Sequence, residues 1–133
     1  FQLFIREDLS QHLVDALHHG ELDVLLLALP FPADGVETMD LLGDDFLLAS
    51  PPGHELTGHG KVSIKQLKGE GIGITLLPRM AVNAQILSGT NVCVSEFTER
   101  NVARMIGLMW RRKTPRRAEL RLLGEFVTAC QLG

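Results

Sequence analysis

The start of the chain has the hydrophobic spacing of an amphipathic helix. Apolar residues recur there at three- and four-residue intervals, which places Leu9, Leu13, Ala16 and Leu17 on one helical face. Asp8 and Gln11, three residues apart, match a capping box at the start of this segment. The sequence therefore predicts a helix that begins near Asp8, with Ser10 in its first turn.

Two strand-like runs flank this predicted helix. Residues 1–5 are largely apolar, and residues 22–29 form a nearly continuous aliphatic run. A run of the second kind is typical of a strand buried on both faces. Together with the helix they predict a strand–helix–strand unit, whose strands lie parallel and are joined by a right-handed crossover.

The rest of the chain carries short apolar runs separated by turn residues. Thr114 and Pro115 match the N-cap and first position of a C-terminal helix. Five residues form its predicted apolar face: Leu122, Leu123, Phe126, Val127 and Cys130. A short helix is predicted at 63–68, and strands are predicted at 36–42, 45–49, 72–77, 91–97 and 104–112. These elements predict an α/β fold.

Composition narrows the class of protein. The chain has 133 residues, 45% of them hydrophobic, and a formal net charge of −3, which does not favour a chain that binds nucleic acid over its whole surface. The longest apolar stretch, residues 24–32, is too short to span a bilayer. Two cysteines without CxxC spacing, and no signal peptide, favour a cytoplasmic protein. The start inside a strand-like run, without Met, indicates a piece of a longer chain.

The glycine-rich stretch GEGIGITLLP is the first candidate for a site. Gly69, Gly71 and Gly73 precede a predicted strand, whereas a dinucleotide loop follows a strand and opens a helix. The order and the spacing both disfavour a phosphate loop. No acid–base pair or nucleophile constellation is legible either, so an enzyme is the least favoured class.

Charged and metal-binding side chains give weaker signals. The basic run Arg111–Arg117 is interpreted as a solvated turn in preference to a phosphate-binding patch. His18 and His19 lie in the last turn of a helix, and His54 and His59 lie in a loop. None of them has metal-ligand spacing, so no metal and no cofactor are predicted.

Ser10 and the cysteines are the remaining candidates. Ser10 follows the carboxyl end of a predicted parallel strand, which is where ligands bind in open α/β sheets. The alternative is a serine that bonds only its own backbone. Cys93 on a strand and Cys130 on a helix face are interpreted as buried structural thiols.

Four stretches together resemble the regulatory domain of LysR-type transcriptional regulators. They are GELDVLLLALP, DDFLLASPPGH, GEGIGITLLP and RMIGLMWRRKTPRRAEL, and they cover most of the chain in order. GITLLP, the IGL-aromatic-R strand and the Thr-Pro-Arg helix start look closest to the OxyR-type peroxide sensors. The resemblance implies transcription activation under oxidative stress.

The fold that this resemblance implies is a two-lobed domain of periplasmic-binding-protein type. Lobe I would hold residues 1–50 and 104–133 and be nearly complete, and lobe II would hold 53–100 and lack a segment. An N-terminal winged helix-turn-helix domain is absent from this chain. The implied partners are promoter DNA through that domain, RNA polymerase, and further copies in a homodimer or homotetramer.

The resemblance also implies roles for individual residues. Ser10 matches a helix-start threonine that hydrogen-bonds peroxide or water, and Arg104 matches an arginine that favours the thiolate form of the sensing cysteine. Ile5 matches a dimer contact. Thr75 and Leu76 lie in the lobe that rearranges on oxidation.

The sensing cysteines of the family lie between the QLKG-like helix and GITLLP. Here Gly69 and Glu70 join those two points directly, so we expect the sequence to omit a segment at this junction. Cys93 and Cys130 match neither sensing cysteine. If the junction is real, the chain has no redox centre.

Three functions therefore stay open at the level of sequence. The first is a LysR-type activator that senses hydrogen peroxide by thiol oxidation. The second is a LysR-type regulatory domain that binds a small organic acid in the cleft between its lobes. The third is a solute-binding α/β domain unrelated to transcription.

Overall fold

The computed structural model describes residues 2–56, 60–67 and 73–130. They form two compact units: residues 2–42 with 105–130, and the described residues within 43–104. The elements in chain order are helix α1 (Ser10–His18), strands β1 (Val24–Leu29) and β2 (Val36–Ser50), a 3-10 turn (Ile64–Leu67), strand β3 (Thr75–Pro78), helix α2 (Arg79–Asn83), strands β4 (Cys93–Ser95) and β5 (Ala103–Arg111), and helix α3 (Arg117–Ala129).

The first unit has a helix on each face of its sheet. β1 and β5 pair antiparallel, from Val24 opposite Trp110 to Leu29 opposite Met105. Successive strand residues point to opposite faces, so Met109 and Trp110 project to different sides of β5. One side packs against α1, and the other packs against Leu120 of α3.

The second unit is built around the later part of β2. β3 pairs antiparallel with it at residues 46–49, and β4 pairs antiparallel with it at residues 48–50. A separate core of Leu48, Leu56, Val62 and Phe97 fills this unit. Each unit therefore has its own hydrophobic core.

The predicted parallel strand–helix–strand unit is wrong. Residues 2–9 form no strand, and β1 has an antiparallel partner in β5. The side chains of Phe4 and Ile5 are 84% and 81% exposed, so no burial offsets the entropy of fixing this segment as a strand. β1 is also not buried on both faces, because Leu26 is exposed.

The buried face of helix α3 overlaps the predicted one only in part: Leu123 and Val127 are half-buried, and Leu123 packs against the core. Leu120 and Gly124 are buried, whereas Leu122 and Phe126 are each 66% exposed. A Cβ at Gly124 would lie 2.7 Å from Sδ of Met39. A side chain at this position would meet Met39, so the glycine allows this face of the helix to lie close to β2.

The start of α3 and the course of β2 also differ from prediction. α3 begins at Arg117, and Thr114 uses its hydroxyl oxygen to accept the Arg116 N–H at 3.3 Å. The two strands predicted at 36–42 and 45–49 are one strand, β2.

The division into units lies between residues 42 and 43 and between 104 and 105, whereas the first lobe boundary predicted from sequence lies between residues 50 and 53. Residues 43–50 belong to the second unit, in which residues 46–50 pair with β3 and β4. Gly69, Gly71, His59 and the Gly69–Glu70 junction lie outside the described residues. The lobe boundaries stay a prediction.

Candidate functional site

Arg104 forms an ion pair with a buried carboxylate in the second unit. Its Nε donates to Oδ2 of Asp44 at 2.9 Å, and the Asp44 side chain is only 1% exposed. Oδ1 of Asp44 accepts the backbone N–H of Met80 at 2.9 Å. One carboxylate thus joins the first part of β5 to the first turn of α2.

This pair fixes the direction of the guanidinium. The Arg104 side chain is 34% exposed, so it is neither fully buried nor a freely solvated surface arginine. Its Nη1 and Nη2 make no hydrogen bond with the described residues. The N–H donors on these terminal nitrogens are thus not taken up by any described residue, and the predicted role of Arg104 beside a thiolate stays a prediction.

Ser10 is the first residue of α1, and its side chain is half-buried. The hydroxyl makes no hydrogen bond with the described residues, so it is not the self-bonded serine of the alternative interpretation. Ser10 belongs to the first unit and Arg104 to the second.

The start of α1 already carries its own anion. Asp8 accepts hydrogen bonds from His12 at 2.8 Å, Arg6 at 3.0 Å and the Leu9 N–H at 2.7 Å. The hydrogen bond from His12, followed by those from Arg6 and Leu9, holds the pKa of Asp8 well below its usual range. The charge of Asp8 is thus paired locally with Arg6 and His12.

The weaker candidates lie on exposed surface. Ile5 is 81% exposed, and Leu76 in β3 is 45% exposed beside exposed Thr75. Cys93 is half-buried, and its Sγ lies 3.8 Å from the carbonyl oxygen of Asn91. The burial predicted for Cys130 is wrong, since this thiol is exposed just after α3.

Two arginines of the basic run 111–117 donate hydrogen bonds to other parts of the protein. Nη1 of Arg111 donates to the carbonyl oxygens of Leu17 and Leu22, at 2.7 and 2.6 Å. Arg117 donates to Glu37 and to a backbone carbonyl. These guanidinium groups connect the turn before α3 to α1 and β2, a role that the charge pattern alone did not reveal.

Histidines and acids do not converge on a metal site in the described part of the chain. Nε2 of His18 lies 2.9 Å from the carbonyl oxygen of Asp34, and His12 pairs with Asp8. No group of three or more His, Cys, Asp or Glu side chains among the described residues is arranged to hold a metal ion. Among these residues, none of the helices has the length and apolar character needed to cross a membrane.

Sequence reasoning missed a cavity of about 250 Å³ in the second unit. Its walls come from β2, from the chain before the 3-10 turn and from the turn between β4 and β5. Six charged side chains line it: Asp45, Lys61, Arg79, Glu96, Glu99 and Arg100. They are spread over more than fifty residues of sequence, so no local sequence motif indicates this cavity.

Two compact α/β units with separate cores define a regulatory domain of periplasmic-binding-protein type, as the neighbouring structures show. The chain belongs to the LysR substrate binding domain family, which matches residues 1–71, more than half of its length. LysR-type proteins are transcription regulators and not a class of enzyme. The predicted fold class and the predicted family are confirmed.

Solved structures place the chain near the OxyR branch. It matches a mutant OxyR regulatory domain from Pseudomonas aeruginosa with a TM-score of 0.83 and 22% identity, over 98% of this chain and 82% of that one. It matches the reduced OxyR2 regulatory domain from Vibrio vulnificus with a TM-score of 0.76 and 27% identity, over 93% of this chain and 79% of that one. The predicted OxyR-type subgroup is confirmed.

A curated relative from Mycobacterium avium bears the name "Probable hydrogen peroxide-inducible genes activator". It is 26% identical over 176 aligned positions, which take in 96% of this chain but 56% of the relative. The chain thus spans about half the length of this relative. Since 96% of 133 residues is about 128, about 48 aligned positions have no residue here. The omission of a segment at the Gly69–Glu70 junction stays a prediction.

Proposed function

We propose that this chain is part of the regulatory domain of a LysR-type activator that senses hydrogen peroxide through thiol oxidation. The observation that carries the proposal is the match to OxyR regulatory domains, at 27% identity for the reduced form from Vibrio vulnificus. The name of the Mycobacterium avium relative supports the same stimulus.

The reacting thiol belongs to the segment that we expect between Gly69 and Glu70. Peroxide oxidises the thiolate to a sulfenic acid and releases hydroxide, which takes up a proton to become water. A second thiol then attacks the sulfenic sulfur, so that a disulfide forms and a second water leaves. Arg104 would favour the thiolate through its charge, and Ser10 would hydrogen-bond peroxide or water.

The disulfide would reorganise the second unit, which contains Thr75 and Leu76, and change contacts between copies, in which Ile5 takes part. These changes would alter how DNA-binding domains elsewhere in the protein sit on a promoter. We propose a homodimer or homotetramer, with promoter DNA and RNA polymerase as partners, acting in the cytoplasm.

Peptide mapping of the protein from its native host tests the proposal. Trypsin cuts after Lys68 and Arg79, so a continuous chain yields the peptide GEGIGITLLPR, residues 69–79. We expect this peptide to be absent and new cysteine-containing peptides to appear, two of which become disulfide-linked after stoichiometric peroxide. The proposal is refuted if GEGIGITLLPR is found and the thiols of Cys93 and Cys130 resist peroxide.

A further inference from the structure

A second cavity lies in the first unit, beside the loop that joins β1 to β2. It has a volume of about 450 Å³ and is lined by residues 29–33, by Val36, Thr38 and Asp40 of β2, and by Met105 of β5. Val36 packs against the core beneath α1, and alternate residues of a strand point to the same face, so Thr38 and Asp40 lie on that side of β2. On the opposite side, Met39 lies against Gly124 of α3. The cavity therefore lies between the loop and the face of β2 that α3 does not cover.

The loop that forms one wall of this cavity is held in place by its neighbours. Phe31 packs against the core beneath α1. The carbonyl oxygen of Asp34 lies 2.9 Å from Nε2 of His18, and the carbonyl oxygen of Gly35 accepts the Arg112 N–H at 2.9 Å. These contacts join the loop to α1 and to the chain just after β5. The cavity is therefore preformed, as small-molecule sites usually are.

The lining is apolar except for one carboxylate and one hydroxyl. Asp40 alone carries a charge among the described residues of the lining, so the cavity has a net negative charge. Asp40 and Thr38 are exposed, and neither side chain has an ion pair or a hydrogen-bond partner among the described residues. The half-buried walls at Phe31, Val36 and Met105 are apolar. A ligand that matches this lining has an apolar body and a positively charged end, because an anion would be repelled by the carboxylate.

We propose that this cavity binds a small organic cation, namely a primary amine with an apolar body. The ammonium group pairs with the carboxylate of Asp40, and the body lies against Phe31, Val36 and Met105. The volume of about 450 Å³ lies within the range of about 300–1,000 Å³ that is typical of ligand sites. This ligand is opposite in charge to the organic acid considered from the sequence, and the site uses neither a thiol nor peroxide. It therefore goes beyond the proposed function.

Methyl NMR of the full-length protein encoded by the native gene, kept reduced, tests the site with phenethylamine as the probe. The protein is isotope-labelled at its methionine methyl groups, and Met105→Leu and Met39→Leu assign two of the signals. We expect phenethylamine to shift the Met105 signal and to leave the Met39 signal, which reports the opposite face of β2, unchanged. The neutral phenethyl alcohol should bind about fivefold more weakly, which is the size expected of one ion pair at an exposed position.

Two variants of the lining separate the charge from the shape of the cavity. Asp40→Asn should abolish the difference between the amine and the alcohol, because it removes the charge and leaves the apolar walls intact. Thr38→Trp should abolish the binding of both compounds, because the indole ring occupies the cavity. Circular dichroism of each variant verifies the fold.

Glu125→Gln is the matched control, because Glu125 is an exposed acid of α3 that does not line the cavity. It removes one negative charge from the same unit and should leave the affinity for the amine unchanged. The site is ruled out if the Met105 signal does not respond, or if the native protein binds the amine and the alcohol equally. It is also ruled out if Glu125→Gln weakens the amine as much as Asp40→Asn does. None of these outcomes depends on a thiol, so this site and the peroxide mechanism fail separately.

Discussion

Replacing Asp44 by alanine removes two hydrogen bonds at an almost fully buried position. The side chain is 1% exposed and joins Nε of Arg104 to the backbone N–H of Met80, each at 2.9 Å. The alanine variant leaves both donors without these partners. The asparagine variant keeps an acceptor for Met80 but cannot provide the charge that Arg104 faces.

The expected loss follows from the burial of each partner. Breaking a buried ion pair by removing one member costs about 3–5 kcal/mol. Arg104 is 34% exposed, so water can solvate its freed guanidinium, and the cost moves to the lower end of that range. We expect Asp44→Ala to lower the free energy of unfolding by about 3 kcal/mol and Asp44→Asn by about 2 kcal/mol.

Urea denaturation followed by far-UV circular dichroism measures this loss. With a slope of about 2 kcal/mol/M, 3 kcal/mol lowers the midpoint by about 1.5 M. Asp45→Ala is the matched control, because Asp45 is the exposed neighbour whose contact with Arg79 is 3.9 Å long. A midpoint for Asp44→Ala within about 0.3 M of the Asp45→Ala midpoint would refute the energetic importance of the pair.

Three further outcomes can be measured on the same protein. Gly107→Ala should destabilise by about 2 kcal/mol in the same urea assay, because the new Cβ would lie 2.5 Å from the carbonyl oxygen of Met39, and an unchanged midpoint would contradict this contact. Leu120→Ala should cost about 2–3 kcal/mol and Phe126→Ala less than about 0.5 kcal/mol, since only Leu120 is buried, and equal losses would contradict the orientation of α3. The hydrogen bond from Ser63, followed by those from neighbouring groups, lowers the pKa of Glu99. The carboxylate therefore stabilises the fold above its ordinary pKa of 4.5, and this stabilisation is lost as the pH falls below that value. Glu99→Gln should flatten this part of the stability–pH curve, and an unaltered curve would contradict the network.

Elements whose signal is local were predicted well from sequence. The helix after Asp8 begins at Ser10, and the short helix predicted at 63–68 is the 3-10 turn at 64–67. Helical spacing and capping residues act within a few positions of each other, so both can be detected without knowing the fold. Boundaries moved by a few residues, as at the start of α3.

Features that depend on contacts distant in sequence were not predictable. The strand partner of β1 is β5, about eighty residues later, and apolar spacing carries no information on that choice. The buried face of α3 includes Gly124, which lies close to Met39 of a distant strand. The charged cavity likewise gathers Lys61 and Arg100 from separate segments. Family resemblance directed attention to Arg104, but only the structure shows its partner, Asp44.

Arg104 has two roles that its geometry allows to coexist. A guanidinium has five N–H donors, and Asp44 takes only the one on Nε, so the terminal nitrogens retain their donors for a thiolate. The same carboxylate offsets part of the positive charge that such a thiolate would feel. If Arg104 acts on the sensing thiol, Asp44→Asn should therefore lower the pKa of that thiol while it lowers stability. A purely structural pair would lower stability alone, so thiol titration of the native protein and its Asp44→Asn variant separates the two roles.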